Sequence, residues 1–116
     1  MSDLRENQAR FMTMLGQLLA YVETLDGYRV RGDWLYRSPQ ANNLAGGIAD
    51  SLHTQRLAID LVLDKRNAAG VWVWQQRSED YEPLGVFWES IGGTWGGRFK
   101  PVPDGVHFSL AYGGRK

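Results

Sequence analysis

The stretch SLHTQRLAIDLVLD, residues 51–64, decides how the rest of the chain is read. Its odd positions Leu57, Ile59, Leu61 and Leu63 are large and apolar, while the even positions carry Arg56, Ala58, Asp60, Val62 and Asp64. A period of two over that length predicts a β-strand with one face on a core. Asp60 then points away from the leucine face, beside the small Ala58. His53, one of only two histidines in the chain, precedes it by seven residues.

Working outward, NAAG (67–70) predicts a turn into a partner strand, VWVW (71–74), whose Trp72 and Trp74 share a face and are expected in the core. Upstream, GYRVRGDWLYR (27–37) alternates and breaks at Gly32-Asp33, as a short strand with a turn does. The tripeptide Arg31-Gly32-Asp33 spells an adhesion motif, but three residues carry almost no specificity and the turn accounts for them. SPQANNLAGG (38–47) predicts a short helix begun by Ser38 and Pro39, with Arg37 just before it.

Near the N-terminus, Phe11, Leu15, Leu18, Leu19 and Val22 recur at three- and four-residue steps between Asp3 and about Leu25, an amphipathic helix packed on the core. A second helix is expected from near Ser78 to Ile91, burying Tyr81, Leu84, Phe87, Trp88 and Ile91. GGTWGGRFKPVPDG (92–105) reads as a long loop, of the kind that often carries function. It leads into a last strand, VHFSL (106–110), with Val106, Phe108 and Leu110 on one face and His107 and Ser109 on the other.

The chain has 116 residues, the size of one ordinary domain, and residues 1–116 are expected to form a single unit without a separate wall-binding domain. Thirteen basic and thirteen acidic residues cancel with no basic cluster, so neither nucleic acid nor another polyanion is an expected partner. The apolar runs are too short to span a bilayer. Without cysteine there are no disulfides, thiolate ligands or cysteine nucleophile, which leaves histidine and carboxylate as ligand chemistry. The opening MSDLRENQARFMTMLGQLLAYV lacks the pattern of a signal peptide, so folding in the cytoplasm is expected.

If the last strand lies near the Asp60 strand, His53, Asp60 and His107 converge. Two imidazoles and one carboxylate, with a fourth position open for water, form the donor set of a catalytic zinc site rather than a closed structural one. Asp104, three residues before His107 in the turn PDG, is the candidate proton carrier. Aspartate before glycine is also a common turn residue, and a histidine is often no more than a core or surface side chain.

The joint pattern resembles the family of zinc D-Ala-D-Ala carboxypeptidases and L-alanyl-D-glutamate endopeptidases, which includes many bacteriophage endolysins. Ser51, His53, Ala58 and Asp60 match its first motif, and Asp104, His107 and Phe108 match its second. The likeness extends to YRSPQ (36–40) and LGVFWESIGGTWGGRF (84–99), and so covers most of the chain from about Phe11 onward.

The resemblance implies an α+β fold in which a small, mainly antiparallel sheet is flanked by helices, as in the hedgehog and D-Ala-D-Ala peptidase fold. It implies one zinc ion on His53, Asp60 and His107, with Asp104 as catalytic base. Arg37 would hold a substrate carboxylate or the developing oxyanion, Ser51 would hydrogen-bond substrate, and Gln40 and Trp95 would stand in the groove wall. The expected partner is the peptide stem of peptidoglycan, met by a monomer that waits in the host cytoplasm until the membrane is opened.

This chain departs from the family pattern at two positions: Arg56 stands where many members have glycine, and Ser109 where glutamate is frequent. The second change bears on metal affinity, because a carboxylate near the ligands would orient or charge-balance them. Rival readings are a D-Ala-D-Ala carboxypeptidase, and a phage structural or wall-binding protein that kept the fold without turnover. Iron(II) oxygenases also use two histidines and a carboxylate, but their first two ligands normally sit two residues apart, not seven.

Overall fold

The computed structural model describes residues 3–34, 38, 40 and 51–116. The first element, helix α1 (Leu4–Glu23), starts where Asp3 accepts a hydrogen bond from the Glu6 N–H at 2.8 Å, satisfying one of the donors that a helix N-terminus leaves open. Its buried stripe is Phe11, Met14, Leu15, Leu18 and Val22, whereas Leu19 is turned to solvent.

The sheet is built on one central strand, as the alternation of residues 57–64 requires. Strand β1 (Tyr28–Trp34) runs antiparallel beside β2 (Ala58–Arg66), and β3 (Trp72–Trp74) returns along the far end of β2. A 3-10 turn (Ser78–Tyr81) leads into helix α2 (Glu82–Ser90), with a proline in its first turn. Two short strands, β4 (Thr94–Trp95) and β5 (His107–Ser109), close the order β1-β2-β5-β4, with β3 attached to β2. The fold is therefore α+β, with two helices and a five-stranded antiparallel sheet among the described residues.

The odd face of β2 carries Ile59, Leu61 and Leu63 into a core shared with Phe11 and Leu18 of α1, Leu84 and Trp88 of α2, and Phe108 of β5. Trp88 meets Phe11 and Phe108 edge to face, with ring centroids 5.7 and 6.1 Å away. Its indole N–H donates to the Ser109 carbonyl at 2.9 Å, which fixes α2 to β5. Tyr81 is buried at the sheet edge, accepting from the Leu63 N–H and donating to the Gln75 carbonyl. Burial pushes its phenol above the ordinary 10, which keeps it neutral in that double role.

Three expectations need correcting. The chain does not turn at Gly32-Asp33: β1 continues to Trp34, and the register slips between Gly32 and Trp34 as a bulge does. Glycine and aspartate signal a bulge as readily as a turn. Trp72 and Trp74 do pair with β2, but Trp74 is exposed and Trp72 only half buried, because their face is the outer one, which no helix among the described residues covers. The stretch 92–105 is not a plain loop. It contains β4 and a 3-10 turn (Gly96–Arg98), since Thr94 and Trp95 have β5 beside them to pair with. The helix expected over 38–47 falls largely outside the described residues, as do Arg37 and Pro39.

Candidate metal centre

Each candidate ligand is placed by a different local device. Asp60 lies on the even face of β2 and is the Cα partner of His107 on β5. Residues directly opposite in an antiparallel pair present their side chains on the same face. His53 comes from a tight turn just before β2, in which Ser51 and Leu52 carbonyls accept from Thr54, Gln55 and Leu57. Buried Leu52 and Leu57 pin that turn to the core.

The Ser51 hydroxyl accepts from the His53 N–H at 3.2 Å, so this serine holds the turn that carries the histidine. The turn closes through Arg56, the one non-glycine residue with positive φ among those described, at 60°. That left-handed conformation costs an ordinary side chain but not glycine, which explains physically why glycine suits this position.

The three side chains form a group whose ligand atoms all lie within 4.8 Å of one another. His53 Nε2 is 3.3 Å from Asp60 Oδ1, and His107 Nδ1 is 4.0 Å from the same oxygen. The imidazoles meet edge to face with centroids 5.5 Å apart, and Phe99 packs 5.3 Å from His107. Both histidines are buried and Asp60 is half buried. Two ligand atoms on a tetrahedral zinc, each ~2.0–2.1 Å from it, stand ~3.3–3.4 Å apart. The His53–Asp60 separation has that value, and the donor set is one that zinc accepts, so the residues fit the ion.

Asp104 is exposed, on a turn fastened from several sides. Its N–H donates to the Gly96 carbonyl at 2.8 Å, and its own carbonyl accepts from the His107 N–H at 3.1 Å. The next residue, Gly105, donates to the Ser78 hydroxyl at 2.9 Å and accepts from the Trp95 indole at 2.8 Å. Asp104 and His107 are thereby held in one rigid turn.

The sequence reading missed these supports. Ser78 reads as a helix start, and Gly96 only as part of the 92–105 loop. A Cβ at Gly96 would collide with the Asp104 carbonyl and with His107 Cβ, so the glycine allows the two segments to touch. The doublets Gly92-Gly93 and Gly96-Gly97 were the available signal of such close approach.

The other sequence candidates are placed as follows. Trp95 is buried, and its indole braces the Asp104 turn. Gln40 is exposed, Ser51 is half buried, and Arg37 lies outside the described residues. Ser109 stands opposite Ala58 and Thr94, fully buried, with no hydrogen-bond partner for its hydroxyl among the described residues.

A search of curated proteins finds no match to the chain. A family model described as D-alanyl-D-alanine carboxypeptidase matches residues 45–110, more than half of the chain and a span that contains His53, Asp60, Asp104 and His107. The chain belongs to the D-alanyl-D-alanine carboxypeptidase family.

Proposed function

We propose that this protein is a zinc-dependent endopeptidase of bacteriophage type that cleaves peptidoglycan stem peptides between L-alanine and D-glutamate. Family membership supports the coarser statement, a peptidase acting on peptidoglycan. The observation that carries the zinc reading is the group of buried His53 and His107 with half-buried Asp60, next to a turn that ties Asp104 to His107.

A zinc ion held by these three side chains would supply Lewis acidity and ease the deprotonation of water. The chain's own residues do the rest. The exposed Asp104 carboxylate takes a proton as water oxygen adds to the scissile carbonyl carbon, then delivers it to the amide nitrogen as the C–N bond breaks. The products are a carboxylate and an amine. The fastened Asp104 turn keeps the proton carrier from drifting between the two transfers, which lowers the entropic part of the barrier. Arg37 is proposed to orient the substrate through a carboxylate, for which its planar fork of donors is suited. Ser51 and Gln40 are proposed to contact the stem, while the buried Trp95 supports the wall from behind by bracing the Asp104 turn. We further propose that the protein stays in the host cytoplasm until the membrane is opened.

The matched family description favours a second reading, cleavage of the terminal D-Ala-D-Ala bond. Digestion of purified peptidoglycan by the zinc-loaded protein, with products identified by mass spectrometry and Asp104→Ala as control, separates the two. A new L-alanine carboxyl terminus supports the endopeptidase, and loss of terminal D-alanine supports the carboxypeptidase. Identical products from wild type and Asp104→Ala would count against both and favour a binding role.

A further inference from the structure

The outer face of the sheet does not end at the metal group. Along β2 the even residues Asp60, Val62, Asp64 and Arg66 share that face, and the register brings Arg29 and Trp74 opposite Asp64, Arg31 opposite Val62, and Trp72 opposite Arg66. Asp64 is almost wholly buried. Its carboxylate accepts from Arg29 Nε at 2.9 Å and from Arg31 Nε and Nη2 at 3.1 and 3.0 Å. The Arg29 guanidinium also lies over the Trp72 ring, 4.4 Å from its centroid.

Two guanidinium groups thus share one carboxylate. Their side chains remain 50% and 56% exposed, and most of their N–H donors are not used by the described residues. Asp33 adds only the smallest of the influences on Arg31, and Asp26 is engaged with Arg66 at the far end. The result is a pre-oriented cationic spot next to the exposed Trp74, on the same face as Asp60. Orientation by Asp64 and Trp72 removes much of the entropy that a free arginine loses on binding an anion.

Its distance from the metal group suits a particular anion. Four residues of β-strand separate Asp60 from Asp64, about 14 Å at ~3.4 Å per residue. An extended peptide covers the same length with four residues. A stem pentapeptide with its L-alanine–D-glutamate bond at the metal group spans at least this length, the γ-linked glutamate adding to it, and lying along β2 it brings its C-terminal carboxylate within reach of the arginine pair. A substrate cut at the terminal D-Ala-D-Ala bond keeps that carboxylate one residue from the metal group, out of reach of the pair.

We propose that Arg29 and Arg31, held by Asp64 beside Trp72 and Trp74, form a distal substrate site that receives the C-terminal carboxylate of a stem peptide lying along β2. This rests on the endopeptidase reading above and adds a receiving site for the far end of the same substrate.

The test compares equilibrium binding of L-Ala-D-Glu-L-Lys-D-Ala-D-Ala with that of its C-terminal amide, in an Asp104→Ala background that prevents turnover. The acid is expected to bind about tenfold more tightly, the size of one charge-assisted hydrogen bond. The triple variant Arg29→Gln/Arg31→Gln/Asp64→Asn, which leaves the cluster uncharged, is expected to bind acid and amide alike. Should that variant not fold, Arg29→Gln alone leaves Arg31 on Asp64 and is expected to reduce the preference.

Equal binding of acid and amide by the parent, or a preference that survives these substitutions, overturns the proposal. A carboxylate preference in a protein that cuts no stem peptide supports the distal site while the hydrolytic reading fails. Cleavage after L-alanine with no carboxylate preference does the reverse.

Discussion

Asp60 and His107 are Cα partners in the β2–β5 ladder, and this pairing brings an imidazole nitrogen to 4.0 Å from a carboxylate oxygen on one face of the sheet. Both side chains inherit their direction from regular strand backbone, with His53 added from a pinned turn. Removing either strand residue should remove a ligand without disturbing the core on the opposite face. Asp60→Ala and His107→Ala are each expected to weaken zinc binding by more than about a hundredfold, beyond the ~10–100-fold that losing an outer support costs. Zinc competition titration of folded protein measures this. Unchanged affinity in either variant would remove that residue from the ligand set.

Gly96 is where the β4 end and the Asp104–His107 turn touch. Gly96→Ala places a methyl group against the Asp104 carbonyl and His107 Cβ. Overpacking of this kind costs about 1–3 kcal/mol. Urea denaturation should show that loss, and peptide release should fall further than the unfolded fraction explains, because the strain lies between the proton carrier and a ligand.

Arg56 holds a left-handed backbone at φ 60°. Arg56→Gly relieves that strain at the cost of a more flexible unfolded chain, and should raise stability by roughly 0.5–1 kcal/mol. A lower melting temperature would mean that the Arg56 side chain contributes more than its backbone costs.

Much of this was legible in the sequence. The leucine alternation of 57–63 identified the central strand, and the faces of VHFSL placed His107 away from Phe108. Periodicity could not show which faces meet a helix. Trp72 and Trp74 therefore looked like core residues, although they lie on the outer face with Arg29. Nor could spacing show that Ser78, Gly96 and Trp95 all serve the Asp104 turn, since the Ser78 contact joins segments far apart in the chain and the other two depend on how the 92–105 stretch folds back on itself. The Gly32-Asp33 signal was real but ambiguous, because bulges and turns use the same residues.

The Arg29–Asp64–Arg31 cluster should govern part of the acid sensitivity. Hydrogen bonding from Arg31, and then from Arg29, outweighs burial and holds the Asp64 carboxyl below its ordinary 3.8. A carboxyl lowered by folding stabilises the native state above its unfolded pKa, and that contribution fades as pH falls through the folded value. Asp64→Asn is expected to be less stable than wild type at neutral pH by about 1–3 kcal/mol. The gap should narrow as the pH drops below 3.8. Denaturation midpoints across that range measure it, and a gap that is constant with pH would contradict the assignment.

In the function proposed above, His53, Asp60 and His107 hold a zinc ion on which hydrolysis of the wall peptide depends. The most direct test is zinc titration of metal-stripped protein, following bound ion and released stem peptide in the same samples. One ion per chain is expected, with peptide release rising in step with occupancy and lost again on chelation. Peptide release by fully stripped protein at the same rate, or saturation of the protein with zinc without any release, would contradict it.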